Sequence, residues 1–178
     1  VHTVLHAGGK FGGSGYSVSG GLHGVGASVV NALSEYMEVE VSRDGKVYYQ
    51  RYERGVTVSE LKVIGESSHT GTRTTFKPDG QIFEVLVFNR ETLLNRFREM
   101  AFLNKQVKII YSDSRGEEPF CEELYYEGGI VSYVEYLNRK ETVLHNPPIY
   151  VSGEKDGSYA EISLQYNDSY VENIYSYA

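Results

Sequence analysis

The chain has 178 residues, a length that suits one domain, or one domain plus part of a second. With 24 acidic and 17 basic residues its formal charge is -7, which argues against a basic nucleic-acid footprint on this chain. Its single cysteine excludes an intrachain disulfide, and no apolar run approaches the roughly 20 residues that span a bilayer. We therefore expect a soluble, cytoplasmic protein that has no membrane partner.

Both ends of the sequence look cut. Val1 to His6 has the pattern of the last turns of a helix without a preceding cap, and a strand-like pattern over Val171 to Tyr177 stops at the last residue. We therefore expect the chain to be a fragment of a longer protein.

A glycine-rich stretch near the start leads directly into a helical pattern. Nine of the 19 glycines fall within residues 8–26, where they give the backbone freedom that a packed element would not tolerate. Val25, Val29, Leu33 and Met37 then follow at four-residue steps, which predicts a helix from about Val25 to Tyr36.

The next segment predicts a largely antiparallel sheet. Asp44-Gly45 is a strong two-residue hairpin signal, and apolar and polar residues alternate before it. The predicted strands are Met37 to Ser42, Val47 to Tyr52, Val56 to Ile64 and Gly71 to Phe76.

The second half predicts two helices around one hairpin. Asn89 is a candidate cap for an amphipathic helix that ends near Leu103. The hairpin pairs Val107 to Ser112 with Pro119 to Tyr126, and a short helix runs from Ile130 to Leu137.

Asn146-Pro147-Pro148 is the candidate domain boundary, because two consecutive prolines continue neither a helix nor a central strand. Three further strands are predicted beyond it, at Ile149 to Val151, Ala160 to Tyr166 and Val171 to Tyr177. The predicted domains are therefore 1–147 and an incomplete 148–178, in an α+β chain.

Gly21-Leu22-His23-Gly24-Val25-Gly26 opens the first predicted helix, so backbone N–H groups and the helix dipole could face an anion. A flexible loop before a helix is the alternative interpretation. The spacing excludes a P-loop, because neither Gly-Lys pair is followed by Ser or Thr. The hairpins that follow exclude a Rossmann motif, and no serine has the two flanking glycines of a nucleophile elbow.

The histidines and carboxylates give no catalytic assignment. His2 and His6 have the i, i+4 spacing of metal ligands on a helix, but no third ligand accompanies them, so we expect no metal site. His23 could bond either a phosphate or a loop carbonyl. No carboxylate lies in the glycine stretch, and none elsewhere has an evident partner, so we assign no general base in this chain.

Over nearly its whole length the sequence resembles the ATPase region of bacterial type II topoisomerases. The segments that carry the resemblance are Leu5 to Phe11, Ser19 to Gly26, Ser28 to Ser34, Thr70 to Thr72, Tyr126 to Ile130 and Leu164 to Asp168. Within this family, Glu154 to Gly157 and Tyr170 to Tyr177 look closer to the gyrase B form than to its topoisomerase IV counterpart.

The resemblance implies the GHKL, or Bergerat, fold, a two-layer α/β sandwich with a mixed, mainly antiparallel sheet, followed by the start of a transducer domain of the ribosomal S5 domain 2-like type. It also implies an ATP site whose lid is Gly8 to Gly21. The matching residues are Lys10 and Tyr16 near the phosphates, the amides of Gly21, Leu22, His23, Gly24, Val25 and Gly26 around the triphosphate, and Thr72 near adenine.

The family's water-activating glutamate, its Mg²⁺-holding asparagine and its adenine-binding aspartate match no residue here, and the resemblance places them upstream. This fragment alone should therefore be inactive. In the full-length family protein, ATP dimerises the ATPase region and drives DNA strand passage, and the gyrase A protein cuts and reseals the DNA. The alternatives are a GHKL chaperone or mismatch-repair ATPase, and a non-enzymatic module with a flexible loop.

Overall fold

The computed structural model describes residues 1–7 and 24–177. The chain divides into two compact units, Val1–Val87 and Phe88–Ala178. In the described ranges every strand pairing is antiparallel. None of the three helices in these ranges combines the length and apolarity that a membrane crossing requires.

The first unit is one helix and a five-stranded sheet. The sheet has the order β3-β2-β1-β5, and β4 pairs with the same edge of β2 as β3 does. The elements are α1 (Gly26–Ala32), β1 (Ser34–Arg43), β2 (Lys46–Glu53), β3 (Val56–Thr57), β4 (Lys62–Glu66) and β5 (Gly71–Pro78).

Strand β1 carries the core of this unit, because it pairs with β2 on one side and with β5 on the other. Met37, Val39 and Tyr52 form a buried cluster, with Val41 packed against it. Met37 lies opposite Tyr52 on β2 and opposite Phe76 on β5. The alternation predicted for β1 is confirmed, and so is the hairpin turn, since Asp44 and Gly45 both have positive φ.

The second unit is built from two helices and two hairpins. Its elements are α2 (Arg90–Leu103), β6 (Ile109–Asp113), β7 (Phe120–Leu124), α3 (Ile130–Leu137), β8 (Ile149–Lys155) and β9 (Ser158–Leu164). Leu94 and Ala101 of α2 are buried against Tyr111 of β6 and Leu124 of β7. The predicted positions of α2, α3 and the β6–β7 hairpin are confirmed.

Two predicted elements are shorter than expected, because the chain enters the sheet early or leaves it. The first helix stops at Ala32 and not at Tyr36, since Ser34 already pairs with Pro78 of β5. The predicted strand Val56 to Ile64 is split into β3 and β4, where the backbone N–H of Arg51 donates to Ser59 Oγ and interrupts the ladder.

The secondary structure predicted for the two ends is wrong. Val1 to His6 forms bends and a turn, and His6 has a φ of 54°, which an α-helix does not accommodate. Residues 171–177 form no strand in the described structure. There, the rings of Tyr175 and Tyr177 lie near Tyr133 of α3. The predicted boundary at Asn146-Pro147-Pro148 falls inside the second compact unit and stays a prediction about domain organisation.

Candidate functional site

The structure describes four of the nine residues that the sequence assigns to a nucleotide site. Gly24, Val25 and Gly26 lead into α1, and Thr72 lies on β5, so all four belong to the first compact unit. The remaining five lie outside the described residues, and they are Lys10, Tyr16, Gly21, Leu22 and His23.

The start of α1 leaves its first amides without a side-chain partner in the described part of the chain. Gly24 has a φ of 60°, which favours glycine, and Val25 takes the N-cap position with no side-chain hydrogen bond to the helix. No acidic residue lies in the first turn. A Cβ added to Gly26 would meet nothing within 4 Å. N–H groups at a helix start that no side chain bonds attract anions, and among the described residues no side chain caps this end of α1.

The other end of α1 is held tightly to the sheet. Asn31 is fully buried, and its Nδ2 donates to the carbonyl of His2 at 3.0 Å. A Cβ at Gly55 would lie 3.3 Å from the Cα of Ala32, so the turn after β2 packs directly on α1. The N–H of Asp79 donates to the Leu33 carbonyl at 3.0 Å. These contacts fix the direction in which α1 presents its glycine-flanked start.

Thr72 lies directly opposite Val41 in the ladder between β5 and β1. Residues that face each other across an antiparallel pair point to the same side of the sheet, and alternate residues of a strand share that side. Thr72 therefore shares a face with Val41 and with the buried Val39, yet Thr72 itself is exposed. Its hydroxyl can donate or accept a hydrogen bond beside an apolar surface, a combination that is typical of small-molecule sites.

His2 is half-buried in this unit. Burial, and secondarily the charge of the N-terminal amine, lower the pKa of His2. Its ring centroid lies 5.6 Å from that of Tyr52, and its Nδ1 is buried with no hydrogen-bond partner in the described structure. Among residues 1–7 and 24–177 no three His, Cys, Asp or Glu side chains are grouped to hold a metal ion. Mg²⁺ therefore has no fitting set of ligands in this part of the chain.

Sequence reasoning missed two buried carboxylates. Asp79 accepts from Arg54 Nε at 2.6 Å, and Asp113 accepts from Arg90 Nε at 2.9 Å and from Arg115 Nε at 2.8 Å. The hydrogen bonds from Arg115, followed by the one from Arg90, hold the pKa of Asp113 far below its usual value. The Asp-Ser-Arg order of the turn indicates that Asp113 can pair with Arg115, but no local pattern indicates its contact with Arg90. Both carboxylates brace turns and are not in the candidate site.

Comparison with known proteins gives consistent matches. A family model described as DNA gyrase B matches residues 129–178. The chain is 60% identical over 179 residues to the DNA gyrase B protein of Halalkalibacterium halodurans, covering all of this chain and 28% of that protein. It is 58% identical over 173 residues to the DNA gyrase B protein of Bacillus cereus, covering 97% of this chain and 43% of that sequence.

A solved structure extends the match to the fold. The 43K ATPase domain of Thermus thermophilus gyrase B, in complex with an aminocoumarin, superposes with a TM-score of 0.74 at 37% identity. The superposition covers 83% of this chain and 40% of that one. The α+β fold expected from the sequence is thereby confirmed, and the gyrase form is favoured over topoisomerase IV. The chain spans between about a quarter and just over two fifths of the length of these relatives.

Proposed function

We propose that this sequence belongs to the DNA gyrase B family and forms part of the ATP-binding region of such a protein. The observation that carries the proposal is identity of 60% over the full chain to a gyrase B protein, together with a fold match to a gyrase B ATPase domain. The glycine-flanked start of α1 supports it, since backbone N–H groups at a helix start can bind phosphate oxygens.

We propose that different residues of the site bind different parts of the nucleotide. By resemblance to the family, we assign the phosphates to the amides from Gly21 to Gly26 and to the side chains of Lys10 and Tyr16. The hydroxyl of Thr72 contributes to recognition of the adenine ring at the far end of β1. Lys10 supplies a positive charge, which stabilises the negative charge on the transferring phosphoryl group more strongly than it stabilises the ground state.

Hydrolysis also needs a general base and ligands for Mg²⁺. We assign neither to this chain, because the family resemblance places both upstream of it in the full-length protein. There, ATP binding dimerises the ATPase region, and hydrolysis drives DNA strand passage and negative supercoiling with gyrase A in the cytoplasm. The acidic charge of this chain agrees with DNA contacts that lie elsewhere.

The alternatives predict other behaviour. The topoisomerase IV counterpart would relax DNA with its own partner and would not introduce negative supercoils. A GHKL chaperone or mismatch-repair ATPase would bind ATP without any gyrase A requirement. A non-enzymatic module would bind no nucleotide.

Lys10→Ala in the full-length protein, assembled with gyrase A, tests the proposal. Loss of one charged group that stabilises the transition state should lower ATP turnover by about 100-fold or more. Lys46→Ala is the matched control, because Lys46 is an exposed lysine in the same unit at the Asp44-Gly45 turn. Thermal unfolding should be nearly unchanged in both variants. Normal turnover in Lys10→Ala would refute its role, and absence of nucleotide binding by the unaltered protein would refute the proposed function.

A further inference from the structure

Lys105, just after α2, reaches across to the β8–β9 hairpin. Its Nζ lies 2.8 Å from Oε1 of Glu161, a contact between residues 56 positions apart. The same Oε1 accepts from the hydroxyls of Tyr150 at 2.6 Å and Tyr159 at 3.2 Å. Glu161 therefore gathers one ammonium and two phenols on a single carboxylate oxygen. The ammonium also lies 5.5 Å from the ring centroid of Tyr150.

The path of the lysine stem depends on Gly129. A Cβ built on Gly129 would lie 2.7 Å from Cγ of Lys105, closer than real Cβ atoms approach, and 3.0 Å from Cδ. Gly129 also has a φ of 59°, which disfavours any L side chain. The aliphatic part of the Lys105 side chain thus packs on the backbone of Gly129, at the start of α3, before its ammonium reaches Glu161.

The β8–β9 hairpin buries little apolar surface. Every residue of β8 is exposed, and on β9 only Glu161 and Ser163 are half-buried. Val151 and Ile162 are each 59% exposed, so apolar burial contributes little there. Polar contacts therefore contribute to its attachment, and the contact between Lys105 and Glu161 is an ionic one.

We propose that Lys105, Gly129 and Glu161 form a latch that fixes the β8–β9 hairpin to the end of α2. The three residues lie in one compact unit, although the sequence predicts a domain boundary at 147/148, between Lys105 and Glu161. The latch transmits movement of α2 to the hairpin and the hairpin's movement to α2. Its role in coupling ATP use to DNA movement rests on the proposed function, whereas its structural role does not.

The charges of the latch are stable near neutral pH. The hydrogen bond from Glu161 raises the pKa of Lys105, and the bonds from Lys105 and Tyr150 lower the pKa of Glu161. Lys105 is 42% exposed, so added salt weakens the pair.

Hydrogen exchange of the full-length protein tests the latch directly. Lys105→Met keeps an unbranched stem but removes the charge, and exchange over residues 149–164 should rise about threefold to tenfold, as expected for loss of a partly exposed charged hydrogen bond. Lys105→Arg should restore protection. Lys108→Met is the matched control, because Lys108 makes a 2.8 Å pair with Glu123 that does not involve this hairpin. Unchanged exchange, or a uniform rise over the whole chain, would overturn the latch.

The coupling role has a separate readout. With gyrase A and DNA, Lys105→Met should consume at least about twice as much ATP per supercoil introduced, because a hairpin with faster opening follows α2 less faithfully. Lys105→Arg and Lys108→Met should match the unaltered protein. Faster hairpin exchange with unchanged ATP use per supercoil would refute the coupling role alone. No ATP hydrolysis by the unaltered protein would refute the proposed function, and the exchange result would still decide whether the latch exists.

Discussion

Arg54 donates from Nε to Oδ2 of Asp79 at 2.6 Å, and this pair joins the two turns that flank the start of β1. Beside it, the N–H of Arg54 donates to the Ser34 carbonyl, and the N–H of Asp79 donates to the Leu33 carbonyl. The side chain of Asp79 is only 3% exposed, while that of Arg54 reaches water. The pair therefore fixes the point at which α1 passes into the sheet.

Acid should weaken this junction. The hydrogen bond from Arg54 and the one from the Gln81 amide lower the pKa of Asp79. A lowered folded-state pKa contributes stability above the unfolded pKa of about 4, and that stability is lost as the pH falls through the folded value. Asp79→Asn should therefore lower the urea midpoint at pH 7 and reduce its further fall below about pH 4. Asp44→Asn, at a side chain 77% exposed, is the control. Equal midpoints for Asp79→Asn and the unaltered protein at pH 7 would contradict the assignment.

Gly55 should tolerate alanine less well than Gly45 does. Both have positive φ, 82° and 77°, so each substitution costs about 1–2 kcal/mol of folding free energy from backbone strain. A Cβ at Gly55 would also crowd the backbone of Ala32, whereas one at Gly45 meets nothing within 4 Å. The difference between the two free energies of unfolding, measured in urea, isolates the close approach to α1. A Gly45→Ala variant as unstable as Gly55→Ala would show that contact to be unimportant.

Short-range patterns predicted much of this fold, because the forces behind them act over a few residues. The pair Asp44-Gly45 predicted the hairpin turn correctly, since few pairs of neighbouring residues both accept a positive φ. The run Ile130–Leu137 formed the helix expected from it. Where a distant strand competed, the local pattern failed, as at Ser34, which pairs with Pro78 and does not extend α1.

The candidate site was harder to predict from short-range sequence patterns. The spacing of Gly24 and Gly26 predicted an open helix start, which is a local property. Thr72 was assigned by resemblance alone, because its position opposite Val41 depends on a ladder between strands about thirty residues apart. The contact of Lys105 with Glu161 had no signal in the sequence at all, for the same reason.

Asn89→Ala should destabilise α2 by about 1 kcal/mol. The side-chain oxygen of Asn89 accepts from the N–H of Thr92 at 2.9 Å, satisfying one amide of the first turn. Asn95→Ala is the matched control, since Asn95 is exposed within the helix and alanine is the better helix former there. Guanidinium unfolding followed by circular dichroism measures both. Equal stabilities for the two variants would show that the cap contributes nothing.

Leu124→Ala should cost about 2–5 kcal/mol of folding free energy. Leu124 is fully buried and packs in the cluster between α2 and the β6–β7 hairpin. Ile110→Ala on the neighbouring strand should cost only about 0.5 kcal/mol, because that side chain is 61% exposed. Denaturant midpoints of the two variants give the comparison. A small effect at Leu124 would mean that the cluster does not stabilise the second unit.

Thr72→Val should weaken ATP binding by the full-length protein while leaving its folding intact. Valine keeps the β-branched shape of threonine on β5 but lacks the hydroxyl, so the dissociation constant should rise about fivefold to tenfold, the worth of one hydrogen bond. Thr74→Val is the control, because Thr74 lies two residues along the same strand on the same face, opposite Val39.

If Thr72 contributes to adenine recognition, loss of its hydroxyl should also reduce the preference for ATP over GTP. A contact to the base discriminates between the two nucleotides, whereas a contact to phosphate does not. Isothermal titration with both nucleotides measures this preference directly. An equal loss in both threonine variants, or an unchanged ATP-to-GTP ratio in Thr72→Val, would show that the hydroxyl of Thr72 does not read the base.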